Sequence, residues 1–194
     1  MLWARKAKQL RGARITLRLP VMADHANWRG LRLKSSAFLA PWEPLRDSDF
    51  LGRGAFRNRV WWARRSAEQD RGLSFLIFRN DDGCLLGGIT LDNIRRGPAM
   101  AGSLGYWMGQ EFTNQGYMTE AVKLVVDHAF SQLNLSRVEA ACLPENAASR
   151  AVLERCGFKY EGVAQSYLQI AGRWRTHVLY ASLRRDRRGK TDAG

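Results

Sequence analysis

Gly105-Tyr-Trp-Met-Gly-Gln-Glu-Phe-Thr-Asn-Gln-Gly-Tyr-Met-Thr-Glu120 is the stretch on which the reading of this 194-residue chain turns. Ser103 to Met108 reads as an apolar strand and a short polar loop follows. Gly116 then opens an amphipathic helix predicted over Tyr117 to Leu133. A helix N-terminus presents unpaired N–H groups and a partial positive charge. With Gly116 allowing close approach, the amides from Gln115 to Thr119 form a cradle for a pyrophosphate without metal or lysine. The stretch is neither a Walker loop nor a G-x-G-x-x-G fingerprint. On local pattern alone, an ordinary loop glycine before a helix is the competing explanation.

Downstream, Pro144-Glu-Asn146-Ala-Ala-Ser149-Arg-Ala-Val-Leu-Glu-Arg-Cys-Gly157-Phe158 places Asn146 at a strand exit, just before a short helix from Ala147 to Cys156. Asn146 and Ser149 share one helical edge at i, i+3. Asn146 also suits an N-cap and Gly157 a helix stop, and the two roles are compatible.

Outward from these segments the elements follow in order. Ile15 to Leu19 is a short strand ended by Pro20, and Asp24 offers an N-cap for a helix through Trp28, Leu31 and Leu33. Pro41 and Pro44 bracket a turn at Trp42, and a second helix is predicted from about Asp49 to Glu68. Leu73 to Phe78 and Leu85 to Leu91 form a hairpin closed by Asn80-Asp81-Asp82-Gly83. Val138 to Cys142, Phe158 to Val163 and Val178 to Leu183 complete the strands. Meandering strands first and strand–helix alternation later imply an α/β (α+β) fold. Its mixed, mostly antiparallel central sheet has about six to seven strands flanked by helices.

At these residues the chain resembles the GNAT superfamily of acetyltransferases, and more narrowly its ribosomal-protein alanine N-acetyltransferase branch, the Rim J/L type. Three matches carry the resemblance, in order and at the expected separations: Gly105-Tyr-Trp with Asn114-Gln-Gly116-Tyr-Met-Thr-Glu-Ala121; Asn146-x-x-Ser149 with Gly157-Phe158; and Glu161-Gly162 with Tyr167 and Gly172-Arg-Trp174-x-x-His177-Val-Leu179. With Leu17-Arg-Leu it spans about residues 14–185, leaving a basic N-terminal segment (1–13) and a basic, flexible tail (186–194).

The resemblance implies an acyl-CoA N-acyltransferase fold with a V-shaped opening between two central strands. It implies acetyl-CoA as co-substrate, with the pantetheine paired along the strand ending at Trp107 and Met108. The pyrophosphate would lie on the loop Thr113, Asn114, Gln115, Gly116, Tyr117, Met118 and Thr119, with Asn146 and Ser149 at the pantetheine and thiol end. The acetyl group would pass directly to an amine, most simply the α-amine of a protein N-terminus such as a ribosomal protein. A backbone N–H near Trp107 or Met108 would polarise the thioester carbonyl.

The chain departs from the family pattern at four places. Thr113 stands where the loop usually begins with Gln or Arg, and Met118 replaces a small residue. Ser103 replaces a Glu suited to act as base, and Leu153 aligns with a Tyr that often acts as general acid. Ser149 is therefore the catalytic candidate at the thiol end, and Asp92, Glu111 and a water chain are the candidates for the base. A free α-amine has a pKa of about 7.7–8.0 against about 10.4 for lysine, so it needs less help, and the missing Glu fits an α-amine acceptor. Lys123 and Arg150 are candidates for the 3′-phosphate of CoA. Trp28, Trp42, Trp61 and Trp62 read as core or lid packing, with Trp42 or Trp61 at the acceptor cleft.

Composition bounds the rest. The net charge is +13, with much of the excess in Arg5 to Arg18 and Arg184 to Lys190. Such ends suit contact with ribosomal RNA or the ribosome, or are simply solvated. An RNA-binding protein with a degenerate fold and a small-molecule amine acetyltransferase are the alternative readings. Cys84, Cys142 and Cys156 are widely spaced and the three histidines are scattered, so no metal site is expected. With no run of the ~18 apolar residues that a membrane span needs, a cytoplasmic protein without membrane contact is expected.

Overall fold

The structure, a computed structural model, describes residues 9–185. The expected tail at 186–194 and the first eight residues of the basic N-terminal segment lie outside the described residues. Among the described residues eight strands form one sheet in the order β1-β2-β3-β4-β5-β6-β8-β7. They are β1 (Gln9–Arg11), β2 (Ile15–Arg18), β3 (Leu73–Arg79), β4 (Leu85–Arg95), β5 (Ala101–Met108), β6 (Arg137–Cys142), β7 (Lys159–Ile170) and β8 (Arg173–Leu183). The helices are α1 (His25–Lys34), α2 (Ser36–Leu39), α3 (Arg53–Glu68), α4 (Tyr117–Ser131) and α5 (Ala147–Arg155). The strand beyond the expected seven is β1, which pairs with β2 through Leu10 and Leu17. Three residues are too few for alternation to register in sequence.

Every neighbouring pair is antiparallel except β5 and β6. Alternation along the strands gives the sheet two apolar faces. One face, with Ile15, Leu17, Ile77, Ile89, Leu91 and Leu104, packs on α4 and α5. In α4 the buried residues Met118, Ala121, Val122, Val125, Val126 and Ala129 recur at helical spacing, which is why this segment folds as a helix lying on the sheet. The opposite face carries a smaller core of Trp28, Leu31, Phe56, Val60, Leu76 and Leu85 under α1 and α3.

In α3 the stripe Phe56, Val60, Ala63 faces the sheet. Trp61 and Trp62 fall outside it: they are 53% and 58% exposed and meet edge to face at 4.6 Å. The expected core packing therefore holds for Trp28, which is buried, and not for this pair. Part of the basic ends is consumed internally. Arg14 pairs with Glu120 and Arg18 with Asp24, and Arg184 donates to the Phe130 carbonyl and the Asn134 side chain. Among the described residues no helix is long and apolar enough to cross a membrane.

Candidate active site

The site begins where the sheet splits. β5 and β6 pair in parallel from Ala101 and Arg137 to Leu104 and Ala140, and there the register ends. Each strand keeps its other neighbour: β5 stays with β4 as far as Met108, and β6 with β8 as far as Cys142. The Gly105–Met108 edge thus faces a gap. The Gly109 N–H donates to the Leu86 carbonyl at 2.8 Å. Alternation along β5 then turns the amides of Gly105 and Trp107 toward β4, and those of Tyr106 and Met108 toward the gap. Of the two amides expected near a carbonyl, Met108 has the suitable direction and Trp107 does not.

The chain leaves β5 through a 3-10 turn, Gln110–Phe112, and enters the loop before α4. Asn114 (φ 60°) and Gly116 (φ 81°) are both left-handed, and a Cβ on Gly116 would also lie 3.2 Å from Arg14 Nη2. This alternation curls the backbone into a nest of N–H groups at the positive end of α4. Among the described residues the amides from Asn114 to Thr119 donate to no protein acceptor. The Thr113 hydroxyl donates to the Gln110 carbonyl (2.8 Å) and Gln115 Nε2 to the Glu111 carbonyl (2.9 Å), so both side chains brace the loop and leave the nest open. Met118, in the place of a small residue, is buried in the core and does not intrude. The donor set suits an anion such as a pyrophosphate.

Sequence reasoning missed Arg14. Its Nη1 donates to the Gln115 carbonyl at 3.0 Å. Its backbone N–H and Nε donate to the Glu120 carboxylate at 2.9 and 3.0 Å. The guanidinium also lies 4.8 Å from the Tyr117 ring centroid. This arginine neutralises the one acid in the first turn of α4. It lies about one hundred residues from the loop in sequence, a separation across which local pattern carries no information.

Across the gap stands α5. Asn146 Oδ1 accepts the Ser149 N–H at 3.0 Å, so the capping role holds. The Ser149 hydroxyl lies 2.9 Å from the Tyr106 hydroxyl, which also donates to the Ser149 carbonyl at 3.1 Å. Burial pushes the Tyr106 phenol well above its ordinary pKa, with a small opposing effect from Ser149, so it remains a neutral O–H. Cys156 Sγ meets the Thr119 carbonyl at 3.5 Å and ties α5 to α4. Leu153, aligned with the family's tyrosine, is buried in the core and cannot reach the gap. Tyr106 is the tyrosine at this site, and alternation within Gly105-Tyr-Trp was the signal that it faces α5.

The opposite face of β5 borders a second space. Trp28, Phe50, Arg59, Trp62, Asp92 and Trp107 are among the residues lining a cavity of about 500 Å³ between α3 and the sheet. Trp107 lies flat enough over β4 that a Cβ on Gly88 would come within 2.5 Å of its indole nitrogen. Of the expected base candidates, Asp92 lines this cavity, next to Ser103 in register. Glu111 is exposed and paired with Lys34 at 2.6 Å, away from it. Glu139, which sequence reasoning passed over, stands opposite Ser103 on β6, but Arg137 and Arg95 already occupy its two oxygens. Trp62 lines the cavity in place of Trp42 or Trp61. Lys123 is exposed, and Arg150 donates to the Tyr180 hydroxyl and the Pro144 carbonyl.

Comparison with known proteins agrees with this geometry. Residues 14–159 match the acetyltransferase (GNAT) domain family. The Bacillus subtilis protein named probable N-acetyltransferase YjcK is 34% identical, over 91% of this chain and 98% of its own. The Escherichia coli [ribosomal protein uS5]-alanine N-acetyltransferase is 32% identical over 87% of both chains. Mycobacterium smegmatis RimJ, solved in complex with CoA-disulfide, is 34% identical with a TM-score of 0.84, covering 90% of this chain and 84% of that one. The domain match spans the split sheet, the nest and α5 together, and the chain belongs to the GNAT acetyltransferases.

Proposed function

We propose that the enzyme takes the acetyl group of acetyl-CoA and transfers it to the α-amino group at a protein N-terminus, a ribosomal protein being the class that several of its relatives name. The observation that carries this reading is the gap between β5 and β6, which leads directly to the unpaired amides at the head of α4. The free edge at Gly105–Met108 suits the amide-bearing pantetheine, and the nest from Thr113 to Thr119 suits its pyrophosphate.

The chemistry follows from the groups on either side of β5. The neutral amine attacks the thioester carbonyl carbon, the C–N bond forms, and the C–S bond breaks without a covalent enzyme intermediate. The Met108 N–H faces the gap and stabilises the oxygen on which charge develops. Ser149, with the Tyr106 hydroxyl behind it, passes a proton to the departing sulfur and takes one back from solvent, so both hydroxyls end neutral. Asp92, on the acceptor side, receives the proton that the ammonium sheds. An α-amine, with a pKa of about 7.7–8.0, makes a modest demand on such a base.

Acetyl-CoA turnover against peptides beginning with Ala, Ser, Thr and Met, with peptide-free enzyme as control, tests this reading. Turnover restricted to one class of N-terminus is the expected result. Acetyl-CoA binding without turnover on any peptide, or equal rates on lysine ε-amines, would overturn the α-amine assignment.

A further inference from the structure

The acceptor side of the sheet holds more positive charge than its carboxylates balance. The guanidiniums of Arg32, Arg46 and Arg59 lie 5.3, 4.8 and 5.3 Å from the Phe50 ring centroid. Glu43 is the carboxylate among them. It binds Arg32 with both oxygens and lies 3.6 Å from Arg46. That leaves Arg59, whose guanidinium makes no ion pair or hydrogen bond among the described residues. Its guanidinium instead stacks 5.1 Å from the Trp28 centroid and forms part of the wall of the 500 Å³ cavity.

Arg59 stays exposed to solvent on the cavity wall, where it is crowded by like charge. Burial, then Arg46 and Arg32, lower its pKa to about 10. A carboxylate entering the cavity would offset that crowding through a charge-assisted hydrogen bond. The aromatic rings already hold the planar group in place, so little rotamer entropy is lost on binding. Asn58 and Ser66 from α3 and Ser74 and Thr90 from the sheet supply further polar groups on the walls. The cavity's own carboxylate, Asp92, sits by Ser103 and forms no ion pair with Arg59. The cavity thus carries one anionic and one cationic group, and it adjoins β5 at Trp107.

We infer that Arg59 is a specificity-determining residue: it binds the side-chain carboxylate of an Asp or Glu within the first few residues of the acceptor. This rests on the α-amine reading above and adds to it a preference that lies beyond the terminal residue. Asp92 and Arg59 then face, respectively, the terminal amine and an acidic side chain of one extended peptide.

The test is a set of peptides sharing the best terminal residue and carrying Glu, Gln or Lys in turn at positions 2, 3 and 4. At one of these positions the Glu peptide is expected to exceed the Gln peptide by about tenfold in kcat/KM, mainly through KM, the size of one charge-assisted hydrogen bond. In Arg59→Gln that ratio falls to near one, and Arg59→Lys retains part of it. A merely structural role for Arg59 would lower turnover on every peptide and leave the ratio in place. Wild-type turnover that is indifferent to Glu at all three positions overturns the inference and leaves the α-amine reading standing. Absence of turnover on every peptide overturns both. The wild-type series needs no variant to fold, and circular dichroism checks the two that are made.

Discussion

The two faces of the sheet are built from different material, and the proposed reaction divides between them in the same way. On the α4 side the binding surface is backbone: the unpaired strand edge at Gly105–Met108 and the amides of a left-handed loop. On the α3 side it is side chain: arginines stacked on Phe50 and Trp28, two carboxylates, and an indole laid over Gly88. A backbone surface tolerates many side chains and depends on a few conformations. A side-chain surface depends on residues brought together from distant segments. In the proposed reading one face meets acetyl-CoA and the other the acceptor, and the division suits what each must recognise.

The largest expected effect tests whether the α4 side really is made of backbone. Gly116→Val places a β-branched residue at φ 81°, a left-handed position that costs about 1–2 kcal/mol for residues with a Cβ. It also crowds Arg14. The loop then rebuilds, and kcat/KM for acetyl-CoA falls by about a hundredfold or more, since several amides lose their alignment together. Calorimetric titration with CoA separates this loss from misfolding. Asn114→Gly, which keeps the same conformation, leaves affinity close to wild type. If Gly116→Val bound CoA normally, the nest would not be the phosphate site.

This contrast also explains what could be read from the sequence. Gly116, Asn146 and Gly157 stand at helix boundaries where conformation is a local property, so the loop, α4 and α5 were legible as a pattern. The mixed sheet was legible for the same reason, since each strand carries its own alternation. β1 was too short to show any. The acceptor side was opaque because its contacts are not local. Arg59 meets Phe50 and Trp28 only once α1 and α3 are packed, and the Asp92–Ser103 register requires the β4–β5 pairing. Trp61 and Trp62 fall outside the buried stripe Phe56, Val60, Ala63, and that Trp62 borders the cavity depends on how α3 packs on the sheet. Tyr106 lay in plain view inside a quoted motif, but its role depends on an α5 residue 43 positions away.

The second effect sharpens the acceptor side. With Asp92 as base, activity on an N-terminal peptide changes little between about pH 8 and pH 6, because the base takes the proton that the ammonium carries. In Asp92→Asn the rate depends on amine already neutral, and kcat/KM rises about tenfold per pH unit up to about pH 8. The variant is therefore about ten- to a hundredfold slower than wild type at pH 6, and the two converge in mild alkali. Parallel pH profiles for the two proteins would remove Asp92 from the chemistry and return attention to a water chain.

A third, smaller effect lies at the gap itself, where the two faces meet. Ser149→Ala removes the hydroxyl at the thiol end, while Tyr106 keeps the Ser149 carbonyl as an acceptor at 3.1 Å, so the fold is little disturbed. The expected result is a fall of about tenfold in kcat with acetyl-CoA affinity unchanged. Tyr106→Phe leaves Ser149 in place without its partner and lowers kcat by about threefold, the worth of one neutral hydrogen bond. A loss of acetyl-CoA binding in either variant would mean that the pair holds the cofactor in place and carries no proton.

The smallest effect guards the comparison against a global change. His128 lies in the last turn of α4, at the far end from the nest, buried, with no hydrogen-bond partner for Nε2 among the described residues. Burial lowers its pKa below the ordinary value of 6.5. Below that value the unfolded chain therefore binds a proton that the native protein resists, and stability falls as pH falls through this window. The melting temperature is expected to drop by a few degrees on acidification from pH 7. His128→Leu should flatten that part of the curve and leave catalysis untouched. The wild-type rate at pH 6 must be read against this drop. If His128→Leu also abolished the steep pH–rate slope of Asp92→Asn, that slope would report unfolding, and the assignment of the base to the acceptor face would fall with it.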